Sequence, residues 1–251
     1  MNARRTVVVT GGGKGIGASI SRRFHHEGFH VVIGSRHDSE LAAELGERAL
    51  FQETDIRRPE ASRALIEAAL AWSGRLDVLV NNAGFSQWRP LGAVDEAFWH
   101  CMIDTNLTGV FFACQAAAKH LSQGSCIINI SSLASKRGSA NNSVYCASKF
   151  GVNGVTQALA KELGPRGIRV NAVCPVYVQT AGLHEALAEQ DAPPAGQDVD
   201  EYLRGFAAAS SALGVLPTGE DVAQACLFLS SASAAAITGQ CINVDCGVLP
   251  Q

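Results

Sequence analysis

Residues 5–17 restrict most severely what this chain can fold into: Arg5-Thr6-Val7-Val8-Val9-Thr10 runs straight into Gly11-Gly12-Gly13-Lys14-Gly15-Ile16-Gly17. A β-branched run bounded by glycines reads as a central strand. Beyond the glycines, Ile16, Ile20 and Phe24 recur every four residues, on one face of a helix that Gly28 ends. Gly11, Gly13, Gly15 and Gly17 permit a tight turn and let backbone N–H groups approach a pyrophosphate. The turn delivers that phosphate to a helix N-terminus, where the dipole favours negative charge. Gly11, Gly13, Lys14, Gly15, Ile16 and Gly17 are therefore candidate dinucleotide contacts. A P-loop is ruled out, because Gly13-Lys14 is followed by Gly15 and not by Ser or Thr.

The pattern continues along the chain. Strands are expected at Phe29–Ile33, Ala49–Glu53, Leu76–Val80, Ser125–Ile130, Ile168–Val173 and Ile242–Val244. Helices are expected at Ser39–Leu45, from Pro59 to about Trp72, over about 97–121, and at Val144–Leu163. Strands that alternate with helices argue for an α/β fold, a doubly wound Rossmann-type parallel sheet with helices on both faces. At 251 residues and 47% hydrophobic, the chain can bury one large core, so a single catalytic domain over 1–251 is expected. Residues 184–219, rich in Ala, Asp, Pro and Gly, break the pattern and read as a mobile, partly helical lid over the substrate.

In such a sheet, ligands bind at the carboxyl ends of the strands. Asn81-Asn82-Ala83-Gly84 closes the fourth strand with small and amide-bearing residues, so Asn82, Ala83 and Gly84 form the expected floor under a flat ligand. An NAD site usually carries an acid at the end of the second strand, on the ribose 2′-hydroxyl. Here that end reads Gly34-Ser35-Arg36, with no acid to repel a phosphate and a guanidinium to hold one. Ser35 and Arg36, with Lys14, therefore point to NADP(H) in preference to NAD(H). Asp55, next to Ile56 after the third strand, is placed either to accept from the adenine amino group or to cap a helix.

Tyr145 and Lys149 are four residues apart at the start of a helix and share one face. An ammonium nearby, with a cationic nicotinamide, would bring the phenol from its usual value near 10 toward neutrality. Ser132, just after the fifth strand, can donate to a substrate oxygen.

With these residues assembled, the chain resembles the short-chain dehydrogenase/reductase family over essentially its full length. The matching motifs are T-G-x-x-x-G-x-G at Thr10–Gly17, N-N-A-G at Asn81–Gly84 and Y-x-x-x-K at Tyr145–Lys149. The family's catalytic serine lies thirteen residues before its tyrosine, which selects Ser132 over Ser131. The resemblance implies that Tyr145 is the acid in reduction and the base in oxidation, and that Ser132 steadies the substrate oxygen. It implies that Lys149 binds the nicotinamide ribose and lowers the tyrosine pKa. Asn106 completes the tetrad by holding a water that links Lys149 to solvent. By the same resemblance Thr180 contacts the carboxamide, and Pro175 and Val178 flank the nicotinamide. Two positions depart from the family pattern: Pro175-Val176 stands for Pro-Gly, and Asp245-Cys246-Gly247 for Asp-Gly-Gly.

The remaining features exclude or narrow. A net charge of −3 gives no electrostatic case for nucleic acid or an anionic membrane, and the apolar runs are too short to span a bilayer. No apolar leader stretch precedes the first strand, so a cytoplasmic protein is expected. The eight cysteines show no C-x-x-C pair and read as small hydrophobes in a reducing compartment. His25, His26 and His30 lack partner ligands at metal spacing, so no metal is expected. Trp88 and Tyr177 follow strands and could face substrate. The lid has no basic cluster, which argues against a highly anionic substrate unless Arg89, Lys136 or Arg137 face the cleft. The helices at 97–121 and 144–163 are apolar on more than one face, so a homotetramer, or at least a homodimer, is expected.

The reading is an NADP-dependent oxidoreductase of a small carbonyl or secondary alcohol. Its rivals are the same chemistry with NAD, a silent dinucleotide-binding regulator, and a purely structural oligomer.

Overall fold

In the computed structural model, which describes residues 4–250, strands and helices alternate from end to end. The strands are β1 (Thr6–Thr10), β2 (His30–Ser35), β3 (Ala49–Glu53), β4 (Val78–Asn81), β5 (Cys126–Ile130), β6 (Arg169–Pro175) and β7 (Cys241–Val244). The helices are α1 (Gly15–His26), α2 (Leu41–Leu45), α3 (Pro59–Ser73), α4 (Glu96–Ile103), α5 (Gly109–Ala118), α6 (Ser143–Leu163), α7 (Ala181–Leu187), α8 (Val199–Ser210) and α9 (Gly219–Ser230). The seven strands form one parallel sheet in the order β3-β2-β1-β4-β5-β6-β7. The chain is thus a doubly wound Rossmann-type α/β fold. Its winding reverses between β1 and β4, and that switch point opens the crevice above the strand ends.

The period-two pattern of the strands sorts the core into two layers. Val7, Val9, Val31 and Ile33 face α1 and α9, where they meet Ile20, Phe24, Val222 and Cys226. Val8, Val32, Leu79 and Ile127 face the other way, onto Ile66 of α3, Ala117 of α5 and Val152 and Leu163 of α6. Both faces are dry, which is why the strands read as continuous apolar runs.

Two features differ from the sequence expectation, and a third adds detail to it. The helix expected over 97–121 is interrupted by a π turn at Asp104–Thr108, between α4 and α5. Helix α9 is absent from the sequence reading, although its start carries a signal: Thr218 and Asp221 form a reciprocal capping box. Residues 184–219 hold the end of α7 and all of α8, and they bury Leu187, Ala192 and Leu203 against Trp88. The prolines and glycines punctuate this flap without preventing it from packing.

Candidate active site

The cleft above the strand ends encloses about 1050 Å³ and runs from the glycine turn to α8. Gly11, Gly13, Lys14, Gly15, Ile16, Ser35, Arg36, Asp55, Ile56, Asn82, Ala83, Gly84, Ser132, Tyr145, Lys149, Pro175, Val178 and Thr180 all line it. Two expected site residues stand behind its wall. Gly17 is buried in α1, and a Cβ there would collide with the Gly11 carbonyl and the Asn82 amide. It serves the close fit of helix to turn and is not itself a contact surface. Asn106, fully buried in the π turn, is the other.

The first site is a cradle of backbone. Gly11 and Gly15 have φ of +62° and +54°, values that side-chain-bearing residues rarely adopt. A Cβ on Gly13 would collide with the Ser39 hydroxyl, so the backbone there is open only because glycine occupies it. Asn82 holds the turn from below: its Nδ2 donates to the carbonyls of Thr10 and Gly11, both at 3.1 Å. Thr10 Oγ1 accepts from the N–H groups of Asn82 and Ala83, at 3.0 and 3.1 Å. This open, clamped cradle at a helix N-terminus fits a dinucleotide pyrophosphate.

At the adenosine end Ser35 Oγ donates to the His37 carbonyl at 2.9 Å, and Arg36 is exposed at the rim. Asp55 is not a helix cap: α3 starts at Pro59 with Arg58 as its cap residue. Its carboxylate is bound by Arg57, whose Nη2 lies 2.6 Å away, and Arg57 is the first cause of its lowered pKa, with Arg36 also contributing. Arg57, which also lines the cleft, is a residue the sequence reading missed.

The second site hangs from β5 and α6. Ser132 Oγ accepts from the Ala134 N–H at 3.1 Å, whereas Ser131 is turned inward with its hydroxyl toward the Lys149 carbonyl. Lys149 is 5% exposed, and its Nζ donates to the Ile130 carbonyl at 2.9 Å. The ammonium lies 5.7 Å from the centre of the Tyr145 ring. Burial lowers its pKa to about 8. Burial likewise pushes the Tyr145 phenol up to about 12, opposed by its hydrogen bond with Ser132. The spacing alone suggests a depressed phenol; in the protein by itself desolvation outweighs the Ser132 hydrogen bond, and Tyr145 is held as a proton donor.

Asn106 ties this site to the floor. Its Oδ1 accepts from the Phe85 N–H at 3.0 Å and its Nδ2 donates to the Phe85 carbonyl at 2.8 Å. The π turn rotates Asn106 inward toward Gly84 and Lys149; π turns often mark functional positions. A second buried relay joins strands to helices, with Asn81 Nδ2 donating to Asn129 Oδ1 and Asn129 Nδ2 to Thr156 Oγ1, each at 2.9 Å.

The far end of the cleft is apolar and aromatic. Trp88 is 4% exposed, and Tyr177 packs edge-on against Phe206 with ring centres 4.9 Å apart. Gln87 donates to Glu189 across the mouth at 2.9 Å, joining the β4 loop to the flap. Val176 packs with Leu133 and Cys174, adding bulk where the family has glycine. Cys246 takes a φ of +53°, a strained value for a side-chain-bearing residue, and its carbonyl accepts from Ser211 and Leu213.

Comparison with known proteins fits this geometry. A family model described as enoyl-(acyl carrier protein) reductase matches residues 11–249. The chain is 37% identical to cis-4-hydroxycyclohexanecarboxylate dehydrogenase of Sinomonas cyclohexanicum, over 98% of this chain and 96% of that protein. Its fold matches a variant of actinorhodin polyketide ketoreductase solved with NADPH, with a TM-score of 0.88 and 32% identity, over 98% of this chain and 97% of that one. It also matches 3-ketoacyl-(acyl-carrier-protein) reductase of Brucella melitensis complexed with NADH, with a TM-score of 0.86 and 31% identity, over 97% and 98% of the two chains.

Proposed function

Because the chain belongs to the short-chain dehydrogenase/reductase family of oxidoreductases, we propose that it interconverts a small ketone and its secondary alcohol with NADP(H). The observation that carries this reading is one cleft joining a backbone cradle to Ser132, Tyr145 and Lys149. The nicotinamide, when bound, gives or takes the hydride. The protein's own groups handle the proton. In reduction Tyr145 donates from its phenol to the carbonyl oxygen while Ser132 holds that oxygen in place. The raised pKa keeps the phenol protonated, as a donor must be. In oxidation the same oxygen must accept a proton, and the Lys149 ammonium steadies the phenolate. Asn106, hydrogen-bonded to both backbone groups of Phe85, fixes the chain next to the floor residue Gly84. The flap at 184–219 closes the substrate end and, we propose, opens for exchange. We place the protein in the cytoplasm and treat the chain as one catalytic domain.

NADP(H) is favoured by charge. Arg36 stands exposed at the rim beside Ser35 and Ser39, with Lys14 across the glycine turn, and no acid ends β2. The relatives' structures carry NADPH in one case and NADH in the other, so the preference rests on these residues alone. The test is steady-state kinetics with both cofactors on a panel of ketones, for the wild type and Tyr145→Phe. NADPH should exceed NADH in kcat/KM by roughly 10- to 100-fold, the worth of one charged hydrogen bond. Tyr145→Phe should keep cofactor binding and lose about 10²–10⁴ in kcat. Equal use of the two cofactors would remove Arg36 from the site, and a variant with more than a tenth of normal activity would remove Tyr145 as the acid.

A further inference from the structure

Three cations could have turned the substrate end toward an anion, and the fold separates them. The Arg89 guanidinium lies 4.5 Å above the Phe98 ring, and the Lys136 ammonium donates to the Cys241 carbonyl at 2.7 Å. Arg137 remains. It lines the cleft, is exposed, and among the described residues its guanidinium makes no ion pair or hydrogen bond. It acts electrostatically on Tyr177, whose ring packs against Phe206 of the flap.

The surroundings define what it could meet. The cleft that Arg137 lines also holds Trp88, Tyr177, Phe206 and Val176, which suit a compact hydrocarbon body. Trp88 leaves its buried Nε1 donor without a partner, and an acceptor oxygen on a ligand would relieve that cost. The flap brings no second cation to the cleft, because its Arg204 is outside the lining. Its Glu189 is held by Gln87, and Glu185 is exposed. One fork-shaped cation, facing an apolar chamber with acids across the mouth, selects a single carboxylate and disfavours a polyanion.

Resting on the oxidoreductase reading above, we propose that Arg137 is a specificity-determining residue: it binds the carboxylate of a small, otherwise apolar keto acid or hydroxy acid while the reacting carbon sits at Tyr145 and Ser132. An acidic carrier protein is the wrong partner for this mouth. The flap carries Glu185, Glu189, Asp191, Asp198, Asp200 and Glu201 against Arg204 alone.

The experiment compares 4-oxocyclohexanecarboxylate, its methyl ester, unsubstituted cyclohexanone and an aldohexose as probes, for the wild type, Arg137→Gln and Arg137→Lys. The wild type should prefer the acid to the ester by about 10- to 100-fold in kcat/KM, mainly through KM, as expected of one charge-assisted contact. Arg137→Gln should bring the acid-to-ester ratio close to one, and Arg137→Lys should recover part of it. Equal wild-type use of acid and ester, or a ratio untouched by Arg137→Gln, overturns the inference while leaving the oxidoreductase reading in place. Preference for the aldohexose also overturns it, and would point instead to Asn142, whose buried amide oxygen on the same cleft lacks a donor. No turnover of any probe, by protein shown to bind the cofactor, overturns both readings.

Discussion

Lys149 is a buried ammonium, and the fold bears a cost for holding it. Its folded pKa of about 8 lies below the 10.5 of an exposed lysine, so the charged form is destabilised in the native state. That gap corresponds to about 3 kcal/mol at neutral pH. The sign follows from proton counts. Between about 8 and 10.5 the unfolded chain holds a proton that the native state has released, so stability rises with pH through this window. Lys149→Met should therefore be more stable than the wild type near pH 7. Its advantage should shrink by about 2 kcal/mol between pH 7 and 9.5 in denaturant unfolding. An advantage that does not change with pH would mean that the ammonium is solvated. The same substitution should abolish turnover, so stability and function oppose each other at this residue.

The elements that carry the site are specialised by single residues. Gly17 lets α1 seat against the glycine turn, and any side chain there meets the Gly11 carbonyl and the Asn82 amide. Gly17→Ala should cost about 1–3 kcal/mol in stability, through overpacking, and weaken dinucleotide binding in a titration. Gly205→Ala is the control. It lies in the middle of α8 with open space around its Cα, so alanine should be neutral or stabilise by up to about 1 kcal/mol. Equal effects at the two positions would mean that the turn tolerates a side chain. The π turn between α4 and α5 makes the same point by other means. One extra residue in the helical turn is what brings Asn106 to Phe85.

At the scale of the whole molecule, the exposed apolar side chains are unevenly placed. Trp99, Phe111 and Phe150 stand out on α4, α5 and α6, while Leu213, Val215 and Phe228 form a second set near α9. We expect each set to pair with its own copy; two such contacts on one chain permit two twofold axes, the arrangement of a tetramer. We expect a homotetramer by light scattering at micromolar concentration. Phe111→Glu with Phe150→Glu should break one contact and leave dimers; a monomeric wild type would show that the patches serve something else.

The strand–glycine–helix opening, the alternation of elements and the pairing of Tyr145 with Lys149 are local matters, written in spacing and residue type. They determined the fold class and most of the cleft's lining. Helix α9 escaped although its start carries a capping signal, because propensity is weak beside packing and α9 forms to cover the Val7–Ile33 layer of the sheet. The flap's packing was not visible: its prolines and glycines can be read in sequence, but Leu187 and Leu203 pack against Trp88, about a hundred residues earlier. The π turn has no spacing of its own to betray it. Which cation meets the substrate was likewise beyond the sequence. Arg89, Lys136 and Arg137 are equal in composition, and only the positions of Phe98 and Cys241 remove two of them. The phenol's pKa was beyond it as well, because desolvation depends on everything around the ring and spacing supplies only the neighbour four residues away.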